Sequence, residues 1–445
     1  MPPRRCLSLT AAVLKHARLV GLIAVCASLG ASSASAAEPS AAPVFRVGAA
    51  TVDVTPETLP VLVNGGMTSR TADKVIDPLM AKAIVLDDGT TEIAIVVVDS
   101  CMMPRALLDD AKQMAAEATG IPVERMLISA THTHSAPAAM GALGTDADEA
   151  YVAFLPARVA RAITLAHRRR TPAHVGWNVA KEPNNVYCRR WLMKEGTANT
   201  NPFSGKSHDR AMMNPGFNNP NKIERTGQVD GDVWVLAART PEGRPLALLA
   251  SYSTHYAGAP ALSADYFGVF SEKIAALLGA KDESPAFVGI MANGTSGDAN
   301  CIDFTRGEPR KFDRFTVAED TARAAHQAYQ KIQFHRWAPI VMEESRLTLG
   351  MRMPSPEEVA AAKEFLTTEE GKNLRTVPAV YARETVILGG MPPTRELKLQ
   401  AIRIGGLGIA AMPNEVFAST GLAIKKDSPL PATFNIELAN GAEGY

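Results

Sequence analysis

The chain has 445 residues, 46% of them hydrophobic and 21% charged, with a formal net charge of zero and a mean hydropathy of −0.02. Such a chain can bury a large core, and length alone allows about two to three domains. The balanced charge and the lack of basic runs interleaved with aromatics exclude a nucleic-acid partner, and Arg168, Arg169 and Arg170 read as a solvated helix end.

Residues 1–37 read as an export signal. Arg4, Arg5, Lys15 and Arg18 form a basic start without an acid, "LVGLIAVCASLG" is too short an apolar run to span a bilayer, and "SSASAAEPS" offers small residues for cleavage near Ala36 or Ala37. Two variants fit less well. Arg4 and Arg5 lie far from the apolar run for twin-arginine export, and Val25 is a poor residue before a lipidated Cys26. The expected protein is therefore periplasmic or extracellular, with a net charge of −4 after cleavage. It keeps Cys101, Cys188 and Cys301, an odd and sparse set that allows at most one bridge and leaves a free thiol.

A Pro/Ala linker (38–43) leads into alternating strands and helices. Strands are expected at 44–50, 81–86 and 93–99, the last ("IAIVVVD") apolar enough to be buried on both faces. A helix over 106–119, a strand over 125–130 and a long helix over 149–168 follow. Residues 183–226, rich in Asn, Pro, Gly and Met, read as a long functional loop in which Met193, Met212 and Met213 can line an apolar pocket. Further strands are expected at 233–238, 245–253, 286–291, 339–349, 397–404, 407–411 and 433–437. Helices are expected at 271–278, 315–332, 356–367 and 415–425. The fold class is a single large mixed-sheet α/β domain over 44–445, with its site at strand ends.

Polar groups with chemistry recur after these strands. His132 and His134 sit two apart in "ISATHTHSAP" (128–137), where strand alternation puts both on one face. They can share a metal or divide into one ligand and one acid/base group. His255 follows "LALLASYST", with Asp265 ten residues on in a loop. Glu415 follows "LGIAAMPN" and opens a helix, and Tyr445 ends the chain. Zinc takes nitrogen and oxygen ligands, so these residues make an acceptable shell. Each also has a plain reading: a hydrogen-bonded core histidine, or a glutamate placed for the helix dipole. Spacing alone does not bring them together.

Five segments in order, "ISATHTHSAP", "STHYAG", "NGTSGDAN", "MPNEVFASTGLAIKK" and "ELANGAEGY", resemble the neutral/alkaline ceramidase family, as do "VGAATVDVTP" and "PLMAKAIVLDDG" near the start. The resemblance implies zinc (Zn2+) ligands at His132, His255, Glu415 and Tyr445, proton handling by His134, and an active-site arginine at Arg189 in "NVYCRRW", where Cys188 replaces the usual Asn. It implies hydrolysis of an amide in an N-acyl substrate, sphingolipids included, by a zinc-bound water. The small-molecule or lipid substrate would be met with at most peripheral membrane contact.

Two departures qualify that reading. Asn300 stands where the family has a serine proposed as nucleophile or substrate contact. An amide cannot attack, although Asn300 can still bind substrate, and Ser296 is the nearest substitute. The family's β-rich C-terminal domain is also missing from a chain that stops at Tyr445. Two alternatives therefore stay open: a metal-containing binding protein that has lost catalysis, and a zinc esterase or amidase acting on a non-lipid substrate.

Overall fold

Glu92–Val98 shows how the core is organised. Ile93, Ile95 and Val97 point to one side and Ala94, Val96 and Val98 to the other, and all six are buried. A strand covered on both faces needs that composition. The computed structural model describes residues 43–200 and 208–444, so the export signal, most of the linker and Tyr445 lie outside the described residues.

The first sheet runs Met126–Ala130, Glu92–Val98, Met80–Asp87, Arg46–Asp53 and Thr171–Pro172. Helices α1 (Arg105–Thr119) and α2 (Glu149–Arg168) cover one face through Leu107, Leu108, Leu155, Val159 and Ile163. The second sheet runs Val288–Asn293, Pro245–Tyr252, Asp232–Arg239 and His174–Lys181, under α3 (Asp265–Leu277) and α4 (Arg314–Gln330). The third runs Ile340–Gly350, Thr394–Ile404, Leu407–Ala411 and Ala432–Ile436. It closes a central core in which Ile95 and Leu127, Leu249 and Ile290, and Ile409 and Ile436 represent the three sheets. Between its first two strands lie α5 (Pro356–Phe365) and α6 (Val377–Gly389), and α7 (Ala418–Asp427) precedes its last strand. The result is a mixed-sheet α/β fold. Among the described residues, no helix is long and apolar enough to cross a membrane.

All three sheets share one construction. Each is antiparallel except for a single parallel pair: Glu92–Val98 with Met126–Ala130, Pro245–Tyr252 with Val288–Asn293, and Leu407–Ala411 with Ala432–Ile436. A parallel neighbour needs a crossover, supplied by α1, α3 and α7 in turn. The strand ends of the three pairs are stitched together: Glu437 N–H donates to the Asn293 carbonyl, and Asn440 N–H to that of Ile128. Close packing has its own demands, since a Cβ on Gly48 would lie on the Ala166 carbonyl where α2 crosses the first sheet.

Several elements differ from the sequence expectation. α3 starts at Asp265, not at 271, because Tyr266, Phe267 and Phe270 form a buried aromatic first half with little helical signature of its own. α6 and the strand His174–Lys181 were not expected: α6 is largely apolar and β-branched, and the strand is an edge whose outer half is only part-buried. The described part of the expected loop 183–226 holds short strands, for Arg190–Met193 pairs with Ala211–Met213 and with Lys222–Arg225. Met193 is buried against Trp191 and Phe304 instead of lining an open pocket. The three cysteines are free and buried, so no bridge forms. Arg170 is not a solvated helix end, as it pairs with Asp87 and Glu92.

The C-terminal segment is tied to α1 by a buried lysine. Lys112 Nζ donates to Asn440 Oδ1 at 2.6 Å, and burial first, then the Lys398 charge, lowers its pKa from 10.5 to about 7. The unfolded chain then holds the extra proton between pH 7 and 10.5. Stability contributed by this group therefore rises with pH across that window. Urea unfolding of Lys112→Met is expected to show a flatter rise than the parent chain over the same range.

Candidate metal centre

The strand Met126–Ala130 ends before the histidine pair, and the backbone turns at His132, whose φ of 68° is rare for a residue with a side chain. Thr131 N–H bonds the Val98 carbonyl and His132 N–H bonds that of Ser100, which hold the turn against the neighbouring strand end. The pair therefore converges through a turn, not through strand alternation, with the rings edge-on at 89°. His255 and Glu415 arrive from the second and third sheets. Each of the three parallel pairs thus delivers one member of a buried set, His132, His255 and Glu415.

His132 Nε2 lies 3.2 Å from His255 Nε2, 3.4 Å from Glu415 Oε1 and 3.1 Å from His134 Nε2. His255 Nε2 is 3.3 Å from the same Glu415 oxygen. The opposite ring nitrogens face backbone carbonyls: His132 Nδ1 to Cys101 O at 2.9 Å and His255 Nδ1 to Ser296 O at 3.2 Å. A carbonyl only accepts, so each Nδ1 carries its hydrogen and both Nε2 lone pairs face inwards.

Such an arrangement calls for a positive charge. Burial disfavours an imidazolium at His132, yet Glu415 and Cys101 raise its pKa well above the ordinary value. Burial and the neighbouring positive charges of Arg189 and His132 push His255 well below it, and the same causes with Arg70 do so for His134. The cluster thus favours a positive charge among its donor atoms. Tetrahedral zinc with bonds of about 2.0–2.1 Å separates its ligand atoms by about 3.3 Å, so the donor set fits this group.

The supporting residues show how the set is held. Arg189, buried, donates to the Gly297 carbonyl at 2.9 Å and to Glu415 Oε1 at 3.3 Å. Glu415 does not open a helix, since α7 begins at Ala418. The backbone that would have continued the helix is engaged elsewhere. Glu415 N–H donates to Gly444 O, and the Val416 carbonyl accepts from Gly297 N–H. His134 stacks on Tyr256 with ring centroids 3.8 Å apart, and its carbonyl accepts from Arg70. Gly65, at φ 93°, presses against its other side, where a Cβ would come within 2.6 Å of the His134 ring. Asp265 lies outside the donor set and instead accepts from the amides of Ala257 and Gly258, bracing the loop after His255.

Ser296 and Asn300 are committed elsewhere. Ser296 Oγ donates to Glu437 Oε1 at 2.6 Å and accepts from Asn293 Nδ2 at 3.0 Å, so its hydroxyl serves neighbouring side chains. Asn300 donates to Asn214 Oδ1 and accepts from Ile302 N–H. Tyr445 lies outside the described residues, although its neighbour Gly444 is bonded to Glu415.

Sequence reasoning missed Glu437, which is fully buried and accepts from Asn293 Nδ2, Ser296 Oγ, Ser296 N–H and Val416 N–H. It braces the loop that orients His255 and the residue after Glu415 together. Burial and the nearby Glu415 raise its pKa to about 8. A glutamate directly after an apolar strand was the only signal available. Removing this hub should cost more than removing one of its donors. Urea titration is expected to show about 1 kcal/mol lost in Ser296→Ala and about 3 kcal/mol or more in Glu437→Ala, which strands four donors. Equal losses would contradict the hub.

No family model matches the chain, and no curated protein matches it in sequence. Its fold does have solved neighbours. The neutral ceramidase from Pseudomonas aeruginosa superposes with a TM-score of 0.66 at 16% identity, over 91% of this chain and 68% of that one. A ceramidase complexed with C2 gives 0.64 at 16% identity, over 91% and 69%. The chain has the ceramidase fold.

Proposed function

We propose that the protein is an exported, zinc-dependent hydrolase of the neutral ceramidase type that cleaves the amide bond of an N-acyl substrate, with sphingolipids in its range. One observation carries the reading: two inward-facing imidazole nitrogens and a carboxylate oxygen spaced 3.2–3.4 Å apart, inside a ceramidase fold. His132, His255 and Glu415 would hold the metal, with Tyr445 as a further ligand. Zinc bound there supplies a Lewis acid for the scissile carbonyl and an activated water near neutral pH.

The remaining steps fall to this chain's own groups. His134, kept neutral by burial and by the positive charge of Arg189, accepts a proton at Nε2 and returns it to the leaving amine. Tyr256 and Gly65 fix the plane of its ring. Arg189 aims Glu415 and places positive charge where an oxyanion develops. Ser296 gives its hydrogen to Glu437 and Asn300 is an amide, so neither is the attacking group, which leaves water. The composition of residues 1–37 supports export.

Elemental analysis tests the metal. One zinc per chain is expected in the parent and none in a His132→Ala/His255→Ala double variant; full zinc retention there would refute the assignment. On a panel of N-acyl amides, His134→Ala is expected to keep its zinc and lose turnover by about a hundredfold or more. Turnover at the parental rate would remove His134 from the chemistry.

A further inference from the structure

Away from the metal centre, α5 and α6 line a surface-open cavity of 890 Å³ with the segment 352–354 and Leu143. Ligand pockets commonly occupy about 300–1,000 Å³ and combine apolar walls with a few polar groups. Here the walls are apolar, represented by Leu143, Met353, Phe365 and Leu388. The charged groups on the lining are Glu357, Glu358, Glu384 and Arg352, three carboxylates against one guanidinium. Glu358 is partly used by its bond from Ser355 N–H. Glu384 is half-buried, and burial raises its pKa despite the adjacent Arg383 and a hydrogen bond from the Leu143 backbone.

We propose that this cavity is a binding site for a long-chain alkylammonium amphiphile, a single aliphatic chain ending in a protonated amine. The apolar walls take the chain, because burying it removes hydrocarbon from water. The acidic excess selects the head group: an ammonium offsets the desolvation of Glu384, whereas a carboxylate of equal chain length meets like charge. The cavity wall also connects by hydrogen bonds to the segment before the candidate centre. The carbonyl of Leu143, in its wall, accepts from Arg383 Nη1 at 3.0 Å. Gly144 N–H donates to Met67 O at 3.1 Å, two residues from the Gly65 that abuts His134. The inference rests on the lining alone and stands apart from the hydrolase reading.

The test uses the mature chain and dodecylammonium chloride below its micelle concentration, followed by titration calorimetry beside dodecanoate. One dodecylammonium per chain is expected, with dodecanoate at least tenfold weaker. Glu384→Gln is expected to weaken the amine about tenfold. Ala361→Trp, which fills the cavity from α5, is expected to abolish binding, and Thr385→Trp repeats that test from α6 should the first variant fail to fold. The zinc-site double variant should bind the amine as the parent does. No binding, equal binding of dodecanoate, or binding untouched by the cavity variants would each overturn the site. Loss of binding in the zinc-site variant would place the amine at the metal centre and overturn it too.

Discussion

Two imidazole nitrogens with their lone pairs turned towards each other at 3.2 Å, beside a buried carboxylate, repel unless a positive charge sits among them. The surroundings work to keep this arrangement from relaxing. Backbone carbonyls of Cys101 and Ser296 hold the far ring nitrogens, Arg189 holds the carboxylate, and His132 accepts an unfavourable φ to bring its ring into place. Preorganisation of this sort is what lets a site bind a cation without rearrangement.

The three sheets explain how distant segments reach one point. Each ends in a parallel pair, and the loops after such pairs open towards the carboxyl ends of the strands. His132, His255 and Glu415 leave those ends, and so do their braces Cys101, Ser296 and Glu437. Glu437 then joins the second and third pairs through one buried carboxylate, while Asn440 joins the third to the first. The centre is therefore only as firm as the packing among the sheets, in a core that all three share.

The elements that were legible share a physical trait: their periodicity is set by burial that the sequence itself displays. Glu149–Arg168 has an apolar stripe and an Asp148 cap, and its limits are those expected. Glu92–Val98 is apolar on both faces and lies where that composition placed it. By contrast, the start of α3 is aromatic, α6 is largely apolar, and the short strands Arg190–Met193, Ala211–Met213 and Lys222–Arg225 are held by pairing with one another. Their local preference is weak, and tertiary contacts decide the conformation.

From the sequence alone came the residue types: histidines, an acid and small residues directly after apolar strands, in an order resembling the ceramidases. That much is chemistry written into single segments, and it sufficed to name His132, His255 and Glu415. Only the tertiary structure decided that their donor atoms meet, that Ser296 spends its hydroxyl on Glu437, and that Glu415 sits in an extended segment ahead of α7. The reason is that convergence depends on crossover connections and on backbone groups paired across more than a hundred residues. A linear pattern of side chains does not carry that information.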